Sequence, residues 1–216
     1  MTSRPDEPDD DTALDAAATL ALIHAQQEHV RDRGEPDARL LFAMWGLAWL
    51  GGYLALYLTA RTSPTLEPAP LAFAVFGVAL VAAAIATVVH VLRRSSGIRG
   101  PSATSGAMFG WSWFLGFVAV YLVNTGIVNA GASPEVIAIA WNSTSCLLVG
   151  VLYMAGGALW QEKPMFALGV WIVVVTGAAA VAGMPWTYLV MAVAGGGGML
   201  ALALADHLRR VRRARR

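Results

Sequence analysis

Cys146 is the only cysteine in 216 residues. An intrachain disulfide is therefore excluded, and so is a metal site built from several cysteines of one chain. Charge is also scarce. Asp, Glu, Lys and Arg make up 13% of the residues, against about 25% in a typical soluble domain. The sequence holds no phosphate-binding loop, no zinc-protease helix, and no nucleophile at a suggestive spacing from a base. No charged residue lies deep within any of its long apolar runs. Buried ionisable groups mark proton relays, ion-coupling sites and voltage sensors, so this lack argues against transport coupled to an intramembrane carboxylate. Met1 is followed by an acidic, proline-bearing stretch instead of a basic segment and a short apolar run, so no cleavable signal peptide is expected.

Apolar residues are abundant, at 57% of the chain. A bilayer core of about 30 Å needs about 20 of them in a helix. Six segments meet that length: 40–60, 71–92, 107–128, 134–160, 165–182 and 185–205. The expected fold is all-α, a polytopic membrane protein of six transmembrane helices arranged as three antiparallel hairpins, spanning residues 39–208. Ser133-Pro134-Glu135 reads as a helix start with a serine N-cap. Gly183-Met184 leaves so short a connection that spans five and six must form a hairpin.

Basic residues concentrate on the cytoplasmic side of a membrane. With the N-terminus inside, that side collects Arg31, Arg33, Arg39, Arg93, Arg94, Arg99, Lys163 and six arginines of the tail, and the other side only Arg61. Both termini are thus expected in the cytoplasm. Fourteen of the fifteen basic residues are arginine, and alanine and glycine are common. Such usage suggests a GC-rich bacterial genome and hence the bacterial cytoplasmic membrane. Trp45, Trp111, Trp160 and Trp186 lie near span ends, as interface aromatics do, whereas Trp141 and Trp171 are deeper and are expected to pack between helices.

Outside the spans, residues 1–11 are acidic and read as disordered. Residues 12–34 read as a cytoplasmic amphipathic helix, opened by a capping-box pattern at Thr12 and Asp15 and stopped by Gly34 and Pro36. Docking on the protein's own loops or on another subunit is one reading of that helix, and a leader without a specific partner is the other. The connection 93–106 is the longest and is rich in Gly and Ser. Spans one and three also resemble each other: Ala43 to Leu58 aligns without gaps on Ala107 to Leu122, with eight of sixteen positions identical, including Gly46/Gly110, Trp49/Trp113 and Tyr57/Tyr121. A parallel repeat of hairpins and a coincidence of biased composition both remain open.

The most polar stretch within a span is Asn142-Ser143-Thr144-Ser145-Cys146. At about 100° per residue these side chains surround the helix, so span four is expected to be central. Ser and Thr can bond a carbonyl one turn back, but the Asn142 amide needs a partner. Tyr57, Tyr121, Asn124 and Thr176 lie at similar depth, so these residues with Asn142 and Ser145 form a candidate substrate-binding set in the outer half of the bundle. The competing reading is interhelical hydrogen bonding of about 1 kcal/mol per contact. Gly195 to Gly198 suits close helix packing, with an unwound binding segment as the alternative. His24 and Glu28, one turn apart, do not by themselves make a metal site. No cofactor is implied. The basic tail, with Arg209, Arg210, Arg212 and Arg213, suits anionic lipid headgroups and is too short for nucleic acid.

Several stretches carry a resemblance: Leu20 to Gln27, Pro36 to Leu41, Trp45 to Leu50, Tyr153 to Gln161 and Met165 to Trp171. They resemble a family of small actinobacterial six-span membrane proteins, some of them labelled transporters. The resemblance covers about residues 13–213 and carries over no catalytic or binding residue. The functional expectation is a non-enzymatic membrane component acting through a protein partner or self-association. The alternative is a small-molecule carrier with an outward-facing polar pocket around Asn142.

Overall fold

The computed structural model describes residues 18, 19, 21, 38–95 and 101–214. Every regular element among them is helical: α1 (Ala38–Ala60), α2 (Pro70–Ser95), α3 (Pro101–Asn129), α4 (Pro134–Leu159), α5 (Lys163–Ala182), α6 (Trp186–Val190), a π-helical segment Met191–Gly196, and α7 (Gly197–Ala214). The last three elements make one continuous sixth span, so six helices are long and apolar enough to cross a membrane. Such a solution is dictated by solvent, because in lipid the backbone must satisfy its own hydrogen bonds. The leader 1–11 and nearly all of the expected helix 12–34 lie outside the described residues.

Two compact units are distinguished, residues 1–36 with 90–97 and residues 37–89 with 98–216. The first is described only at residues 18, 19 and 21, which are helical, and at 90–95, the end of α2. The second holds the core. Its most extensive helix contact is α4 with α5, followed by α1 against α7 and the π segment.

Proline and glycine chemistry sets the helix limits. Ser133 caps α4 as the sequence predicts, its side chain accepting from Val136 N–H, with Pro134 in the first turn. Pro101 likewise opens α3, and α2 runs on to Ser95. The connection read as 93–106 is therefore shorter than expected, because proline is as good a helix opener as it is a breaker. Between α5 and α6, Gly183 takes φ 68° and the Met184–Pro185 bond is cis.

Close packing is concentrated where glycines face each other. In α4 and α5, a Cβ on Gly150 would lie 3.0 Å from Gly169 O, and one on Gly169 would lie 2.6 Å from Gly150 O. Small residues let the two backbones approach, which replaces the hydrophobic drive that lipid cannot supply. Leu168, Ile172, Met191 and Met199 are the largest apolar side chains sealed inside. By contrast α3 is almost bare: between Thr104 and Asn129 only Asn124 is buried. Between Pro70 and Val89 of α2, only Ala72 and Ala83 are.

Candidate functional site

Asn142 sits on the face of α4 that meets α1 and is 8% exposed. The Tyr53 hydroxyl donates to its Oδ1 at 2.7 Å and lies 3.3 Å from Cys146 Sγ, one turn further along α4. Cys146 Sγ is 3.9 Å from the same amide oxygen. Three neutral polar groups thus close on one another within the bundle. The Asn142 amide nitrogen is buried and has no hydrogen-bond partner among the described residues. Turning the amide over would transfer the orphan to the oxygen, so one of the two atoms stays unpaired either way.

Aromatic rings surround this cluster. Tyr53 packs on Phe76 at 4.6 Å, on Trp49 at 5.7 Å and on Tyr188 at 6.4 Å between centroids. The site is therefore a polar knot inside an apolar sleeve.

A second link forms on the opposite side of α4. Thr144 donates to Ala140 O at 2.7 Å, which leaves its oxygen free to accept from Asn124 Nδ2 at 2.8 Å. The Asn124 amide nitrogen also reaches Val120 O at 2.8 Å. That arrangement fixes which way the Asn124 amide points, because Thr144 has already spent its proton. Asn124 Oδ1 and Ser143 Oγ are buried without a hydrogen-bond partner among the described residues. Span four thus uses its polar run in two directions, toward α1 through Asn142 and toward α3 through Thr144. It is not, however, the central helix expected from that run, since spans one, five and six are more buried.

The six residues of the candidate set do not form one cluster. Tyr57 is one turn beyond Tyr53, where its ring packs on Trp186 at 5.8 Å with the Arg61 guanidinium 5.8 Å from its centroid. Tyr121 is exposed and packs on Trp141 at 6.1 Å. Thr176 is buried and bonds back to Ile172 O within its own helix at 2.7 Å. Ser145 is half-buried. Asn142 faces α1, whereas Asn124, on α3, meets the opposite side of α4 through Thr144. The residues that meet Asn142 are Tyr53 and Cys146, and neither belongs to the set. The signal that could have found Cys146 is its i+4 spacing from Asn142.

Two of the surface concavities among the described residues are not lined by Asn142. One of about 220 Å³ lies at the α4–α5 turn, between Gly157, Gln161, Lys163 and Phe166. The other, of about 340 Å³, lies on α3 between Ala107, Gly110, Trp111 and Phe114. No group of three or more His, Cys, Asp or Glu able to hold a metal ion occurs among the described residues.

The arginines Arg209, Arg210, Arg212 and Arg213 continue α7 beyond its apolar part. Asp206, just before them, lies 4.0 Å from Arg39 Nε at the start of α1. No family model matches the chain, and no match is found among curated proteins or solved structures.

Proposed function

We propose that this chain is a multi-pass component of the bacterial cytoplasmic membrane, with both termini in the cytoplasm. It acts through a protein partner or self-association and not by catalysis. It belongs, on this reading, with the small actinobacterial six-span proteins that its sequence resembles. The observation that carries the reading is the bare state of α3. Gly106, Gly110 and Gly126 on that helix have nothing within 4 Å of where a side chain would begin. Lipid tails do not require glycine, whereas a neighbouring helix that must approach closely does. The equivalence of Gly110 to Gly46 supports the same reading. A Cβ on Gly46 would lie 2.8 Å from Leu200 and 3.1 Å from Gly196 O, so in span one this position already receives a helix. The basic tail adds contact with anionic headgroups, worth about 1 kcal/mol per arginine near the surface. Cross-linking and co-purification from membranes test the proposal. A strictly monomeric protein that brings no partner with it would sink it.

A carrier remains the second reading, favoured by one observation: the Asn142 amide is buried and half-satisfied beside Tyr53 and Cys146. A small neutral or zwitterionic molecule with a hydrogen-bond acceptor would complete it. A thermal-shift screen of small polar metabolites tests this. At a hundred times its dissociation constant a ligand stabilises the folded state by about 2.7 kcal/mol. That shift must vanish in Asn142→Leu, and the carrier reading falls if it persists there.

A further inference from the structure

Span six departs from α geometry in one place. Between Met191 and Gly196 the chain takes a π turn, and the Gly197 N–H reaches back five residues to Ala192 O and is shared with Ala194 O. A π turn accommodates one residue more than the α-helix on either side, so all that follows it is set about 100° from the position that an unbroken α-helix would give. The Trp171 indole, on α5, donates across the interface to Ala194 O inside that turn, at 2.9 Å.

Packing explains three of the four consecutive glycines. A Cβ on Gly195 would lie 3.0 Å from the Trp49 ring, and one on Gly198 would lie 2.5 Å from Trp171 Nε1. On Gly196 it would fall against the Leu50 backbone nitrogen. Gly197, in contrast, has nothing within 4 Å. A side chain fits there, and almost any residue favours a helix more than glycine does.

Undoing the π turn gives Gly197 a reason. Each residue beyond the turn then moves into the place that its successor holds now. Gly197 arrives beneath the Trp171 indole, where only glycine fits. Residues 197–205 are all apolar, so the rotation carries no polar side chain into lipid. Asp206 is the first residue to register the change: it leaves Arg39, and Ala205 takes its place.

We propose that span six is a two-register helix, in which the Trp171–Ala194 bond holds the π register and its release turns α7 by one residue, about 100°, away from the Arg39–Asp206 contact. The device couples packing in the middle of the membrane to the cytoplasmic end that carries the basic tail.

Disulfide cross-linking in the full chain in membranes tests it. Arg39→Cys is paired in turn with Asp206→Cys and with Ala205→Cys, while the native Cys146 is 3% exposed and does not compete. Without further change the Asp206→Cys pair gives the main product. Trp171→Phe keeps the ring but removes the N–H. It raises the ratio of the Ala205→Cys product to the Asp206→Cys product roughly threefold, the effect of one average interhelical hydrogen bond in a membrane. Adding Gly197→Leu, whose Cβ has nothing within 4 Å in the observed register but would collide with Trp171 in the other, returns the ratio to its starting value. A ratio unmoved by Trp171→Phe overturns the proposal, and so does one that stays raised after Gly197→Leu.

Discussion

The Tyr53 hydroxyl and the Asn142 amide oxygen, 2.7 Å apart, tie α1 to α4 in the buried part of the bundle. The bond joins residues 89 positions apart in sequence. It therefore fixes the rotation of both helices about their own axes, which apolar packing in a membrane specifies poorly.

A double-mutant cycle measures that tie. Tyr53→Phe and Asn142→Leu should each destabilise the protein in bicelles by about 1 kcal/mol, with a coupling energy of about 0.6 and at most about 1.7 kcal/mol. A coupling indistinguishable from zero would mean that the two groups do not bond in the membrane. Asn142→Leu also removes the unpaired amide nitrogen, so the loss in that single variant should be the smaller of the two.

The glycines of α5 should separate sharply by position. On Gly169 a Cβ would meet Gly150 O at 2.6 Å and Met154 N at 2.6 Å, both backbone atoms that cannot turn aside. Gly169→Ala must push α4 and α5 apart, at a cost of about 1–3 kcal/mol. On Gly177 nothing lies within 4 Å, so Gly177→Ala should be neutral or stabilising by up to about 1 kcal/mol. Equal destabilisation by the two substitutions, read from unfolding in the same detergent, would contradict the close α4–α5 contact.

The spans were legible in the sequence because the bilayer imposes a length and a polarity that few other environments demand. The Ser133 cap was legible too, from local chemistry, but the polar run of α4 did not mark the central helix, since spans one, five and six are each more buried than span four. Partner choice was not legible either. Rise per residue sets the depth of Tyr53 and Tyr57 within a turn of each other, but the azimuth of α1 decides which of them meets Asn142. That azimuth follows from long-range contacts, such as Phe76 filling the space beside Gly52 and Gly196 lying against Leu50. Glycine count alone does not say which glycines face a neighbour. Gly46 and Gly110 occupy equivalent positions in similar segments, yet one is packed and the other open.

Orientation in the membrane is tested by accessible thiols. Cys146 is buried and stays silent to a membrane-impermeant maleimide, so the native chain is its own blank. Thr65 lies in the exposed connection after α1, and Gln161 in the exposed connection after α4. Four spans precede Gln161 and one precedes Thr65, which puts the two on opposite sides whatever the absolute orientation. The positive-inside tendency, with arginine in excess on Gln161's side, predicts that side to be cytoplasmic. Thr65→Cys should therefore label in intact cells, and Gln161→Cys only after permeabilisation. Labelling of both from outside would remove a span from the count. The reverse pattern would keep six spans and turn the protein over, against the charge distribution.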